Sequence, residues 1–155
     1  MVRTNASIAN ASIFLEGGYL KANETHPSFA RHPALMFGTQ FAPRHGKILP
    51  AACDLAYQPD ELYSFWSCPR VKMNATGYGH CDIIDDLGWE ACHISNFCFT
   101  TTENDRDTYR LFLQGIISAF LITYVQGYPN ATQYFTNPSY FLGVNVTHFA
   151  YDVAC

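Results

Sequence analysis

Residues 105–126 read DRDTYRLFLQGIISAFLITYVQ, the longest stretch of the chain with a regular secondary-structure signal. Asp105 and Asp107 stand where a helix N-terminus favours negative charge, and Thr100-X-X-Glu103 resembles a capping box. From Leu111 to Val125 the run is apolar except at Gln114, Gly115, Ser118 and Thr123, and Gly127 with Pro129 ends it. The pattern predicts one long apolar helix over about 105–126. It is too interrupted for a membrane span, which needs about 20 predominantly apolar residues. A buried core helix is favoured over a re-entrant or membrane-contacting segment.

Outward from that helix the chain divides into three zones, expected to belong to a single domain over 1–155. Residues 1–50 are broken by Pro27, Pro33, Pro43 and Pro50, with Gly17-Gly18 as a turn. Ser12-Ile-Phe-Leu15 and Ala34-Leu-Met-Phe37 each have strand character, inside an otherwise irregular, sugar-decorated N-terminal segment. Residues 51–99 are a Cys-rich module. Pro59 and the acids after it open a helical turn through Asp60 to Trp66, and 74–79 reads as loop. Residues 100–155 hold the helix and a closing aromatic stretch, Tyr134 to Tyr151, expected to be strand-like. The fold class is α+β: a small, disulfide-stapled, glycosylated ectodomain with one long apolar helix and short strands.

The charge map narrows the function. Of 155 residues 48% are apolar and only 14% charged, which excludes a disordered chain. Nine basic against thirteen acidic side chains leave a net charge of −4, without the basic stripe a nucleic-acid binder shows. Residues 111–155 carry a single formal charge, Asp152. A glycan or another polypeptide is expected to cover part of that zone.

Compartment follows from cysteines and sequons. Six cysteines, Cys53, Cys68, Cys81, Cys92, Cys98 and Cys155, suit an oxidising compartment, and their pairing is open among the 15 possible. Asn-X-Ser/Thr occurs at Asn5, Asn10, Asn23, Asn74, Asn130 and Asn145, where composition alone gives about one such site. N-linked glycans at these positions are expected, in a secretory-pathway lumen or outside the cell. No leader-like apolar region opens the chain, so a removed leader or a fragment of a longer ectodomain is expected.

Candidate chemistry centres on residues 80–93, HCDIIDDLGWEACH. This cluster offers His80, His93, Cys81, Cys92, Asp82, Asp85, Asp86 and Glu90. Zinc spacing is absent, and so is the EF-hand pattern, so no metal and no cofactor is expected. There is no Gly-X-Ser-X-Gly and no His-Glu-X-X-His, and no catalytic residue is assigned. Six histidines make an endosomal pH response conceivable.

Cys53 with Ala56-Tyr-Gln-Pro59, Trp66 ahead of Cys68, Gly79 with Cys81, and Leu87-Gly-Trp89 form a further pattern. From Cys53 onward it resembles the third minor envelope glycoprotein of arteriviruses. The resemblance implies a non-enzymatic subunit of a minor-glycoprotein hetero-oligomer on the virion envelope, acting in attachment and entry. It implies other viral minor glycoproteins and a macrophage scavenger-type receptor as partners. Phe112, Phe120, Tyr134, Phe135, Tyr140 and Phe141 are then core or interface anchors. The reading kept beside it is a secreted or lysosomal host-type enzyme or binding module with an acidic/His site at 80–93.

Overall fold

The computed structural model describes residues 11–15, 32–43, 59–67, 69–95, 99–100 and 105–153. Along the chain run β1 (Ser12–Leu15), β2 (Ala34–Thr39), α1 (Pro59–Phe65), β3 (Arg70–Ala75), α2 (Asp86–Ser95), α3 (Arg106–Tyr124), α4 (Gln133–Thr136) and β4 (Val146–Asp152). The strands form one four-stranded sheet in the order β1-β2-β3-β4. β1, β2 and β3 are parallel, and β4 returns antiparallel to β3. Strands from all three sequence zones therefore meet in one sheet. The mixed helix-and-strand class is as expected, and both short N-terminal strands are present.

Side-chain alternation splits the sheet into two unlike faces, because successive residues of a strand point to opposite sides. Leu35 and Phe37 of β2 and Val71, Met73 and Ala75 of β3 face α3 and join its buried stripe. Ala34 and Met36 face the other way, onto Leu62 of α1 and Trp66. Trp66 is held there by an edge contact with Phe14, at 5.0 Å between centroids, and by donating Nε1–H to the His32 carbonyl at 2.7 Å.

α3 corrects the sequence expectation in kind more than in place. It begins at Asp105, whose carboxylate accepts from the Asp107 and Thr108 amides at 2.9 and 3.3 Å, so the cap is not Thr100 with Glu103. Glu103 lies outside the described residues. The end falls as expected: Gly127 takes φ +77°, and the Tyr128 amide donates back to the Ile122 carbonyl at 3.1 Å. The helix is two-faced, not apolar all round. Tyr109, Phe112, Leu113, Ile116, Ala119 and Phe120 are buried, while Gln114, Gly115, Ser118 and Leu121 face out. Among the described residues no helix is long and apolar enough to cross a membrane.

Two further expectations need correction. Asn74 and Ala75 are strand, because they pair with Thr147 and Val146 in the β3–β4 ladder. The closing aromatic stretch is strand only from Val146. Before that it turns through short helical segments at Pro129–Thr132, Gln133–Thr136 and Pro138–Tyr140, which Pro129 and Pro138 initiate. These turns bring Phe135 and Phe141 back onto α3, where each makes an edge contact, Phe135 with Phe120 and Phe141 with Phe112. Part of the apolar zone is thus covered from within the chain, while Leu111, Tyr128 and Leu142 stay exposed.

Candidate functional site

The 80–93 cluster folds as a tight turn, His80–Ile83, followed by α2. Gly79 leads into it under a steric demand: a Cβ there would stand 1.9 Å from the Phe99 carbonyl oxygen. Asp82 is fully buried and organises the turn. Its carboxylate accepts from the Gly79 amide at 2.6 Å and from Trp89 Nε1–H at 2.7 Å. Cys81 and Cys92 are disulfide-bonded, tying the turn to α2. The pairing is one that the sequence left open. Cys53, Cys68, Cys98 and Cys155 lie outside the described residues, as do Asn5, Asn10 and Asn23.

The acids of the cluster diverge. Asp85 caps α2 by accepting from the Gly88 amide at 2.7 Å. Asp86 turns to α3, where Arg110 and Arg106 reach it at 3.0 and 3.4 Å, and Glu90 is exposed. Among the described residues no group of three His, Cys, Asp or Glu side chains is placed to hold a metal ion. His93 stacks on Trp89 at 4.6 Å, and Arg106 lies over the indole at 3.9 Å. His93 Nδ1 is hydrogen-bonded to the Thr100 hydroxyl at 2.8 Å, a partner that sequence reading did not connect with it.

Between the turn and α2 lies an open cleft of about 560 Å³, within the usual range for small-molecule sites of about 300–1,000 Å³. Leu15, Ile83, Ile84 and Ala91 make its walls apolar, the disulfide lines it, and His80 and Ser95 supply the polar groups. Ser95 donates its hydroxyl proton to the Ala91 and Cys92 carbonyls at 2.6 and 3.2 Å, which leaves its lone pairs as acceptors. The exposed Leu87 and Ile94 stand on the same helix. The sequence flagged this segment for its ionisable residues, yet the structure spends those on caps and ion pairs and builds an apolar pocket beside them.

The six aromatic anchors separate by burial. Phe112, Phe120, Phe135 and Phe141 are core. Tyr134 and Tyr140 are exposed and pack edge-on against each other at 5.0 Å. Among the described sequons, Asn130 and Asn145 are exposed and Asn74 is half-buried in the sheet.

A small mixed sheet with helices on both faces and a cleft outside it is a scaffold on which enzymes and binding modules are both built. Residues 23–150 match the model of the Chlorophyllase family, and the chain belongs to that family. No curated protein matches it. The family is of the α/β-hydrolase type, which overturns the arterivirus resemblance. The roles drawn from that resemblance, a viral envelope glycoprotein of the virion acting in entry and a non-enzyme, are overturned with it. The short Cys, Trp and Asp-Leu-Gly pattern was local, whereas the family match runs from ahead of β2 into β4 and takes in α1, α2 and α3. The viral partners and the scavenger-type receptor lose the ground they stood on.

Proposed function

We propose that this chain acts as a hydrolase-type protein on an apolar substrate held in the cleft between the His80–Ile83 turn and α2. The observation that carries the reading is the cleft itself, with apolar walls and two polar side chains in its lining. Membership of a hydrolase-type family supports it, and the family's name points to chlorophyll, a large apolar pigment. His80 and Ser95 are the groups positioned to orient a substrate's polar end. The sequence contains no Gly-X-Ser-X-Gly, and no nucleophile is assigned.

The test is binding and turnover by the purified chain, with chlorophyll and a long-chain 4-nitrophenyl ester as probes. Quenching of Trp89 fluorescence and product release are expected, and Ala91→Trp, which puts a large ring on the wall of the cleft, should weaken binding about tenfold or more. Failure of both probes to bind would overturn the reading.

We also propose an oxidising, lumenal or extracellular location, with glycans on the exposed Asn130 and Asn145. The Cys81–Cys92 bridge supports it, since such bonds persist in oxidising compartments. A glycosidase-sensitive mass shift, lost in the Asn130→Gln, Asn145→Gln pair, is the expected readout.

A further inference from the structure

Opposite the cleft, on the α1 face of the sheet, a second group of ionisable side chains converges. Lys72 and Asn74 of β3 pair with Ala150 and Thr147 of β4, so His148 and Phe149 together oppose Met73 in a β-bulge. The bulge places Phe149 with the α3-side core and leaves both Thr147 and His148 facing outward. His148 takes φ +50°, an uncommon conformation for a non-glycine residue. Backbone held in this way tends to gather at functional sites.

The bulge aims the imidazole at α1. His148 Nδ1 lies 3.1 Å from Asp60 Oδ2. Lys72 Nζ donates to the other oxygen, Asp60 Oδ1, and lies 5.1 Å from the Tyr63 ring centroid. Each carboxylate oxygen therefore has one donor, and the carboxylate cannot rotate away from His148 without losing both. A proton on Nδ1, donated to Asp60, leaves the lone pair on Nε2. His148 is 60% exposed, so water has access to the ring.

We propose that Asp60 and His148 form a proton-transfer dyad serving hydrolysis of a small polar ester, at a site separate from the apolar cleft. The proposal rests on the hydrolase-type reading of the family but not on the cleft. The cleft lies with Ile83 on the α3 side of the sheet, and the dyad lies with α1. In the reaction, His148 Nε2 takes a proton from water as the water oxygen bonds to the ester carbonyl carbon. The carbon–alkoxide bond then breaks, and the proton passes from Nε2 to the leaving oxygen, giving acid and alcohol. Asp60 is a positioning residue that holds the imidazole by its Nδ1–H, and Lys72 holds Asp60. No covalent enzyme intermediate is required.

The experiment uses the full chain and 4-nitrophenyl acetate, compared with free imidazole at equal concentration. The chain should exceed imidazole at least about tenfold, a fraction of what a positioned general base supplies. His148→Gln should remove the excess, and added imidazole should restore activity to His148→Gly. Asp60→Asn should lower kcat about tenfold with KM unchanged, as loss of positioning predicts. Chlorophyll and the long-chain ester report on the cleft and 4-nitrophenyl acetate on the dyad, so that failure of the cleft and failure of the dyad are told apart. Nitrogen NMR of the wild-type protein, which needs no variant to fold, should find the neutral-state proton on Nδ1. Full activity in His148→Gln, or a proton residing on Nε2, would overturn the proposal.

Discussion

The two faces of one sheet differ in almost every physical respect. Toward α3 the strands present Leu35, Phe37, Val71, Met73 and Ala75, all essentially inaccessible, against a helix stripe of aromatic and aliphatic side chains. Toward α1 they present Arg70, Lys72 and Asn74, half-buried, over a smaller apolar cluster around Trp66. On this side Arg70 donates to the Tyr63 and Trp66 carbonyls at 2.6 Å and caps the end of α1. The comparison teaches a division of labour. The α3 face carries stability by burying area, and the α1 face carries placed charge, which is where proton chemistry becomes possible.

Adjacent residues of β3 provide the sharpest way to break this comparison. Val71→Lys puts an unpaired ammonium into the α3 core and should abolish cooperative folding in a calorimetric scan, since the effective penalty is several kcal/mol. Phe112→Ala, which removes a ring packed against Phe37 and Phe141, should cost about 4 kcal/mol in urea unfolding with no change in the slope. Lys72→Val, one position along the strand but on the other face, should change stability by less than about 1 kcal/mol, because its ion pair with Asp60 is partly exposed. A Lys72→Val loss as large as that of Phe112→Ala would erase the distinction between the faces.

The smallest effect concerns pH. Hydrogen bonds from the Thr108 side chain and backbone, then from the Asp107 amide, hold the Asp105 carboxyl below its usual range. A carboxyl with a lowered folded pKa contributes stability above its unfolded value, near 4, and loses it as pH falls through the folded value. Wild-type unfolding midpoints should therefore fall slightly more steeply below about pH 4 than those of Asp105→Ser, which keeps a cap without a charge. Parallel curves would show that the cap contributes nothing through its charge.

Much of the local structure was legible because it depends on neighbours in sequence. Ser12–Leu15 and Ala34–Phe37, the latter extended to Thr39 in the sheet, declared themselves as strands by apolar and aromatic composition between breakers, and Pro59 with its acids announced α1. Elsewhere propensity misled. Asn74 reads as a turn residue, yet the ladder with Thr147 holds it in a strand. The Tyr134–Tyr151 stretch reads as strand, yet two prolines start helical turns that fold Phe135 and Phe141 onto α3. The family resemblance drawn from the Cys, Trp and Leu-Gly-Trp pattern misled most. Of those residues, Gly79, Cys81 and Leu87-Gly-Trp89 mark a turn stapled to a helix, a local arrangement that says little about the whole chain.

By itself the sequence determined the helix over about 105–126, the turn opened by Pro59, the two short N-terminal strands, and that positions 80–93 are unusual. Such properties follow from local backbone preference and the period of apolar side chains. Only the tertiary structure decided which of those ionisable residues became caps and ion pairs, and that Cys81 meets Cys92. It alone brought His148 against Asp60 across 88 positions of chain. The reason is physical: strand register and a bulge set side-chain direction at long range, and neither leaves a periodic trace in the residues that obey it.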